Sequence, residues 1–174
     1  MSVYHNVGKP LFPAFFDLRD REVLVVGRGA EADRKAEKMA PFCRRVVCCD
    51  YPPVFEEKPA LVILAQPEHP DNALWAARFR EEGIPVNVCD RPALCDFRFP
   101  ALVTRGPVSV GIATAGASPV LAGLLRQKID EALPEDLEAI VLTAADLTAQ
   151  LRKTVPDPQE RTRLLRRELE KLLK

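Results

Sequence analysis

The sequence predicts an α/β fold, in which a parallel sheet is followed by a strand hairpin and a helical C-terminal part. Two observations support this. Between residues 22 and 114, short runs rich in β-branched residues alternate with segments of helical spacing, which is typical of a parallel sheet. From residue 118 onward the helical spacing is almost continuous. A chain of 174 residues has room for one domain with a small addition.

The elements of the first part follow one another in a regular order. The predicted strands are Glu22–Val26, Arg45–Cys49, Leu61–Ala65 and Ile84–Val88, and the predicted helices cover 31–39 and 71–82. The segment from Tyr51 to Ala60 contains three prolines, so it cannot form a crossover helix. We therefore expect strands two and three not to be neighbours, and they could lie on opposite sides of the first strand.

The second part begins with two further predicted strands, 97–104 and 108–114, whose short connection favours an antiparallel hairpin. Ser118 and Pro119 then read as the N-cap and first residue of a helix. Pro134 ends this helix, a second helix runs to about residue 153, and a third follows Pro158. We expect an NAD-binding domain over 1–95, dimerisation strands over 96–116 and a helical domain over 117–174.

Composition excludes several functions. Lys and Arg together number 25, as do Asp and Glu, so the formal charge is zero. A balanced chain lacks the basic surface of a general nucleic-acid binder or of a polybasic membrane binder. No apolar run approaches the roughly 20 residues of a membrane span, and residues 1–10 contain no apolar signal core. We expect a cytoplasmic protein with neither nucleic-acid nor membrane partners.

The five cysteines show no C-x-x-C spacing, and the chain has only two histidines, His5 and His69, to complete a zinc site with them. No fixed metal site is expected from such a set. Cys48, Cys49 and Cys89 fall within or beside apolar strands, which favours a structural role in the core. The segment from Gln150 to Lys174 contains eight basic and four acidic residues. This excess is typical of a solvated helix face, although it could also attract an acidic partner.

A glycine-rich turn is the strongest local motif. Gly27-Arg28-Gly29-Ala30-Glu31-Ala32 follows a strand, opens a helix and fits G-x-G-x-x-A. In the Rossmann fold such a turn lets a pyrophosphate approach the backbone amides at a helix N-terminus. Asp50 ends the next strand, 23 positions after Gly27, where an acid would bind the adenosine ribose and repel a 2′-phosphate. The motif predicts NAD, bound by residues 27–30 and Asp50.

A second motif, Val86-Asn87-Val88-Cys89-Asp90, ends a parallel strand at the edge where open α/β sheets bind ligands. Asp90 is a candidate general base and Asn87 a candidate cofactor contact. The alternative for Asp90 is a turn aspartate before Arg91-Pro92.

A third group of residues suits an acidic substrate. Gly116 and Ser118 lie at a predicted helix N-terminus, which attracts a carboxylate, and Arg98 and Arg105 could pair with one bidentately. The alternatives are a helix cap for Ser118 and surface positions on a hairpin for the two arginines.

Taken together and in order, the motifs resemble the precorrin-2 dehydrogenase and sirohydrochlorin ferrochelatase family, the N-terminal module of siroheme synthase. The resemblance covers residues 10–150. It rests on Leu11-Phe12-Pro13, Leu18-Arg19-Asp20-Arg21, the Gly27 turn with Ala32-Asp33-Arg34-Lys35-Ala36, Asn87-Val88-Cys89-Asp90, Leu94-Cys95-Asp96-Phe97-Arg98-Phe99-Pro100-Ala101 and Gly116-Ala117-Ser118-Pro119-Val120-Leu121-Ala122.

The resemblance implies NAD-dependent oxidation of precorrin-2 to sirohydrochlorin by a homodimer, with insertion of ferrous iron as a further activity of some members. Asp90 matches the family's aspartate for proton removal, near which iron would bind transiently. Gly27 and Gly29 match its glycine turn, and Ser118 and Pro119 its helix start beside the tetrapyrrole. Ala65 and Gln66 fall in the loop near the cofactor.

Two departures bear on the cofactor. Relatives carry a longer segment, with a helix and a strand, where this chain has only residues 51–60, and Gln66-Pro67 replaces a Thr-Asp type loop. The shortening is expected to open the adenosine side of the pocket. Two alternatives therefore stay beside the dehydrogenase: a chelatase with weakened NAD binding, and an NAD(H)-sensing dimer without turnover.

Overall fold

The computed structural model describes residues 9–173, so His5 lies outside the described residues. Its strands are β1 (Leu18–Val26), β2 (Cys43–Cys49), β3 (Leu61–Leu64), β4 (Val86–Val88), β5 (Ala101–Arg105) and β6 (Val108–Ile112). Its α-helices are α1 (Ala30–Met39), α2 (Asn72–Glu81), α3 (Pro119–Ala132), α4 (Leu137–Thr154) and α5 (Pro158–Leu172). Short 3₁₀ turns cover Ala40–Phe42 and Pro92–Leu94.

The four strands β1 to β4 form a parallel sheet in the order β2-β1-β3-β4. The predicted α/β class is confirmed. Strands β2 and β3 lie on opposite sides of β1, as expected from a connection without a helix. Val25 pairs with Cys48 on one side and with Ile63 on the other, so β1 is the central strand whose carboxyl end leads into the glycine turn.

Apolar side chains alternate between the two faces of this sheet because successive strand residues point in opposite directions. Val23, Val25 and Ile63 pack on one face with residues of α1. Leu24, Val26 and Leu64 pack on the other face with residues of α2. The central strands are fully buried on both sides, which explains their near-continuous apolar sequence.

The proline-containing segment after β2 covers part of the face that α2 covers. Phe55 stacks on Phe79 of α2, with ring centroids 6.3 Å apart. Arg44 pairs with both Glu22, at 3.0 Å, and Glu57 of the segment. These contacts attach an irregular crossover to the sheet without a helix.

The chain after β4 folds back along the free edge of that strand. Asp96 donates its N–H to Val86 O at 2.8 Å, and its Oδ2 accepts the Val86 N–H at 2.9 Å. Phe97 and Phe99 pack against the α1 side of the sheet. The strand predicted to start at residue 97 therefore begins only at Ala101, because residues 96–99 are held against the sheet and α1.

Contacts divide the chain into two compact units: Ala14–Phe99, and the residues from Pro100 onward together with the segment ending at Pro13. In the second unit, β5 and β6 form the antiparallel hairpin expected from the sequence. Helices α3 to α5 follow it, with α4 and α5 packed on each other. In residues 9–173, no helix combines the length and the apolar character that a membrane crossing requires. The three-domain division of the sequence stays a prediction.

Candidate functional site

The glycine turn lies between the end of β1 and the start of α1, as the motif predicted. Gly27 has φ +139°, and a Cβ placed there would lie 2.9 Å from Gln66 Cγ, so this residue must be glycine to let the neighbouring loop approach. Gly29 has φ +80°, and a Cβ built on it would meet nothing within 4 Å. The backbone is therefore open to a ligand at Gly29.

The helix that starts at this turn has a free N-terminus. Gly29 is the N-cap of α1, and no side-chain hydrogen bond caps the helix within residues 9–173. Because the first intrahelical bond runs from Asp33 N–H to Gly29 O, the amides of Ala30, Glu31 and Ala32 have no intrahelical acceptor. Such amides bind phosphate oxygens, so the turn fits the pyrophosphate of a dinucleotide.

Asp50 lies at the end of β2, beside the glycine turn. Its two carboxylate oxygens accept hydrogen bonds from Nε and Nη2 of Arg28. The bidentate pair joins two residues that the sequence assigned to the cofactor, and Arg28 is highly exposed while Asp50 is partly buried. A carboxylate that already has an arginine partner holds a fixed orientation.

The loop between β3 and α2 forms the other border of the turn. Ala65 donates its N–H to Val26 O at 2.8 Å. Asn72, which is 4% exposed, donates from Nδ2 to Gln66 O at 2.7 Å and to Pro67 O at 3.2 Å. Its Oδ1 is buried without a partner among residues 9–173. Asn72 thus fixes the backbone of the loop that contains the predicted contacts Ala65 and Gln66.

Three aromatic rings cluster beside Asp50, a feature that the sequence analysis missed. His69 stacks on Trp75 with ring centroids 4.2 Å apart, and Tyr51 meets both rings edge-on at 6.1 and 6.2 Å. We call these residues the aromatic trio. Tyr51 directly follows the ribose-type acid at the end of β2, and His69 lies in the loop after β3, so their positions after two parallel strands of one sheet could have indicated the cluster.

Asp90 lies just past β4, at the same carboxyl edge of the sheet. Its φ is +56°, a left-handed conformation that aspartate tolerates better than most residues. Cys89 N–H donates to Leu64 O at 3.0 Å and Arg91 N–H donates to Val88 O at 3.2 Å, which holds the backbone on both sides. The Asp90 side chain belongs to an exposed residue, and no hydrogen bond or ion pair of its carboxylate occurs within residues 9–173.

Asn87 occupies a different environment from the one that a cofactor contact suggests. It is 7% exposed, and its Nδ2 donates to Phe97 O at 2.9 Å. This bond holds the returning chain against β4. Asn87 therefore supports the edge that positions Asp90, and its contact with the cofactor stays a prediction.

The predicted substrate contacts are found in both units. Ser118 caps α3 by accepting the Leu121 N–H at 3.1 Å, and Gly116, with φ +84°, precedes it. In the same unit, Nη1 of Arg105 donates to Leu133 O and Pro134 O, and its Nη2 donates to Oδ1 of Asp130. Arg105 thus closes the C-terminal end of α3. Arg98 lies exposed in the first unit, with Nη2 3.4 Å from Pro92 O.

The cysteines differ in their environments. Cys89 is buried beneath the glycine turn, where Sγ donates to Glu31 Oε1 at 3.5 Å and burial raises the pKa of the thiol to about 11. Cys49 is half-buried, but Cys48 is exposed. The structural role in the core predicted for Cys48 is therefore wrong, because β2 is the edge strand of the sheet and leaves this side chain exposed. Residues 9–173 contain no group of three or more metal-ligating side chains.

Comparisons with known proteins bear on the cofactor and on the fold. A family model described as NAD(P)-binding matches residues 50–101, the part of the chain from the ribose-type acid to the start of β5. The match supports NAD as the cofactor, as the sequence predicted. The matched range contains the aromatic trio and Asp90.

Curated relatives cover nearly the whole chain. It is 37% identical over 180 residues to a siroheme synthase of Methylococcus capsulatus, with 91% of this chain and 38% of that protein aligned. A siroheme synthase of Ectopseudomonas mendocina is 35% identical over 169 residues, which cover 86% of this chain and 37% of the relative. The chain thus spans less than two fifths of the length of these relatives.

A solved structure shares the fold. The protein titled SirC, precorrin-2 dehydrogenase, superposes with a TM-score of 0.64 over 94% of this chain and 98% of its own, at 17% sequence identity. The likeness confirms the Rossmann-type architecture with its C-terminal additions.

Proposed function

We propose that this chain, a relative of the siroheme synthases, oxidises precorrin-2 to sirohydrochlorin with NAD⁺ as the oxidant. The observation that carries this proposal is the exposed carboxylate of Asp90, which lies at the same sheet edge as an open glycine turn. Bound NAD⁺ supplies the hydride acceptor. The residues of this chain must then hold the cofactor and the tetrapyrrole and accept the proton released when a carbon–hydrogen bond is broken.

Cofactor binding is assigned to the residues around the glycine turn. The amides at the start of α1 suit the pyrophosphate, and the Asp50 carboxylate suits ribose hydroxyls, which donate hydrogen bonds. Gln66 and Ala65 border the turn from the neighbouring loop. An acid at residue 50 occupies the position that binds the ribose 2′-hydroxyl of NAD in this fold, so we propose NAD as the cofactor.

Asp90 is proposed as the general base. Its carboxylate has no competing partner within residues 9–173, and its backbone is held in the left-handed region by bonds on both sides. Backbone strain of this kind is found at functional sites, where the surrounding structure over-determines it. The carboxylate is therefore presented to the substrate from a fixed backbone position.

The second unit is proposed to contribute substrate binding and dimerisation. The amides at the start of α3 near Gly116 suit a substrate carboxylate. Val120, Leu121 and Leu124 of α3 are 73%, 47% and 55% exposed, an apolar surface that a second copy of the chain would cover. We further propose the cytoplasm, where the five unpaired cysteines would stay reduced.

The test is anaerobic incubation of purified protein with precorrin-2, with and without NAD⁺, followed by absorbance. We expect sirohydrochlorin to appear only with NAD⁺. Asp90→Asn is expected to lower turnover by about 10²–10⁴-fold while NAD⁺ affinity is unchanged. Asparagine also tolerates a positive φ, so this variant removes the base and keeps the backbone.

Asp20→Asn is the matched control, because Asp20 is an exposed acid at the opposite end of β1; it should turn over as the parent does. Equal turnover of Asp90→Asn and the parent would refute the general-base assignment. If precorrin-2 binds without conversion, sirohydrochlorin and ferrous iron should be supplied next, since insertion of iron would identify a chelatase.

A further inference from the structure

We infer that the aromatic trio of Tyr51, His69 and Trp75 is the surface on which the adenine base of the cofactor stacks. The inference rests on the proposed NAD binding and names the residues that would meet the base on the adenosine side. It assigns a role to three side chains that the glycine-turn motif does not contain.

The trio lies beside Asp50, on the side to which an adenine base attached to the bound ribose would extend. Tyr51 is the next residue after Asp50, whose carboxylate is oriented by Arg28. The backbone N–H of His69 donates to Gln66 O at 3.0 Å, and Gln66 is the residue packed against Gly27. The trio is thus attached to both borders of the turn that suits the pyrophosphate.

The rings are rigid and one of them is accessible. His69 Nδ1 accepts the Asp71 N–H at 3.2 Å, and the imidazole stacks on Trp75, which is half-buried on α2. Tyr51 is 67% exposed although two other rings support its edge. A large aromatic side chain that is supported on one side and exposed on the other presents a face for a planar ligand.

The loop that bears His69 is itself fixed. Asn72 binds the carbonyls of Gln66 and Pro67 through its buried amide, so the start of the loop that bears the imidazole cannot shift without breaking these bonds. Stacking on a preorganised ring costs little conformational entropy on binding. The chemistry of the surface, aromatic faces beside an acid and a phosphate-binding turn, fits a purine nucleotide.

The experiment is calorimetric titration of the full chain with three probes: NAD⁺, AMP and nicotinamide mononucleotide. Tyr51→Ala is expected to weaken the binding of NAD⁺ and AMP by about tenfold or more and to leave the binding of nicotinamide mononucleotide unchanged. Tyr51→Phe should bind all three as the parent does. Phe15→Ala is the matched control, because Phe15 is an exposed aromatic residue at 74% in the same unit.

A second readout is independent of affinity. Trp75 is the only tryptophan of the chain, so its fluorescence reports on the trio alone. Saturating AMP should change this fluorescence in the parent and in Phe15→Ala. AMP binding that leaves the fluorescence unaltered would overturn the inference.

The outcomes separate this inference from the proposed function. Binding of NAD⁺ at equal strength by the parent and Tyr51→Ala would overturn the adenine surface and leave the dehydrogenase intact. Tyr51-dependent AMP binding without oxidation of precorrin-2 would support the surface and refute the dehydrogenase. Failure of the parent to bind AMP and NAD⁺ would overturn the surface.

Discussion

Asp96 accepts the backbone N–H of Val86 on its Oδ2 at 2.9 Å, while its Oδ1 pairs with Nε of Arg80 at 2.6 Å. This side chain therefore satisfies a buried amide at the free edge of β4, where no further strand is paired with it in the described sheet. An uncovered edge amide would be costly. The bond also fixes the strand that ends at Asp90.

Asp96→Ala should destabilise the fold because it leaves the Val86 N–H buried without an acceptor. We expect a loss of about 2–3 kcal/mol in the free energy of unfolding, measured by urea denaturation followed by circular dichroism. Asp96→Asn keeps an acceptor and loses only the partly exposed ion pair, so it should cost about 1 kcal/mol or less. Equal losses in the two variants would contradict the role of the Val86 bond.

The two glycines of the turn should respond differently to alanine. Gly27→Ala places a Cβ against Gln66 and Ala65 at a positive φ, so we expect a loss of stability of about 2 kcal/mol or more. Gly29→Ala meets open space, so it avoids that contact and should cost only about 1–3 kcal/mol for its φ of 80° and ψ of −173°, a region that is nearly restricted to glycine.

The Gly29→Ala substitution should affect NAD⁺ binding more than it affects stability. In Gly29→Ala the new methyl group occupies the side open to the phosphates, so we expect NAD⁺ affinity to fall while the protein stays folded. Calorimetric titration beside thermal denaturation separates the two effects. A stable Gly29→Ala protein with parental NAD⁺ affinity would show that the pyrophosphate binds elsewhere.

Ser118→Ala should destabilise α3 by about 1 kcal/mol, because the Leu121 N–H loses the acceptor that Ser118 Oγ provides. Ser118→Asp preserves an acceptor and adds a negative charge at the helix N-terminus, so its stability should match the parent or exceed it. Urea denaturation of the three proteins measures this. Full stability of Ser118→Ala would mean that Pro119 alone starts the helix.

Alkylation should distinguish the cysteines. With its pKa raised to about 11 by burial, the Cys89 thiol has about one thiolate in a thousand at pH 8, and the thiolate is the reactive form. The alkylation rate of Cys89 should therefore still rise with pH above pH 9, where an ordinary thiol is already mostly ionised.

We therefore expect iodoacetamide at pH 8 to label exposed Cys48 first and Cys89 last, as followed by peptide mass spectrometry. The Cys48→Ser variant should lose the fastest phase. Rapid labelling of Cys89 would indicate that the turn above it opens frequently.

Local sequence patterns predicted most of the first unit. The apolar strands, the glycine turn and the proline segment that rules out a helix imply the order in which β2 and β3 flank β1. Such features depend on residues close in sequence, and on the rule that parallel neighbours need a crossover. The N-cap of α3 was likewise readable from Ser118 and Pro119.

Contacts between segments that are distant in sequence could not be predicted from these local patterns. Residues 97–100 have the composition of a strand, but hydrogen bonds to β4 and packing of two phenylalanines on the α1 side prevent it. Arg105 was assigned to substrate from its charge alone, whereas the last turn of α3 and the two residues Leu133 and Pro134 after it supply four acceptors to its guanidinium. Cys48 was assigned to the core, and only the position of β2 at the sheet edge exposes it.

By itself, the sequence determined the α/β class, the order of the elements, the NAD-type turn and the resemblance to siroheme synthases, because these are carried by local periodicity and by contiguous motifs. The tertiary structure decided which polar side chains are used to hold the fold and which stay accessible. Asn87 and Arg105 are occupied by backbone carbonyls, while Asp90 is exposed and three aromatic residues meet beside Asp50. Such partners are assigned only when strands and loops far apart in the chain come together.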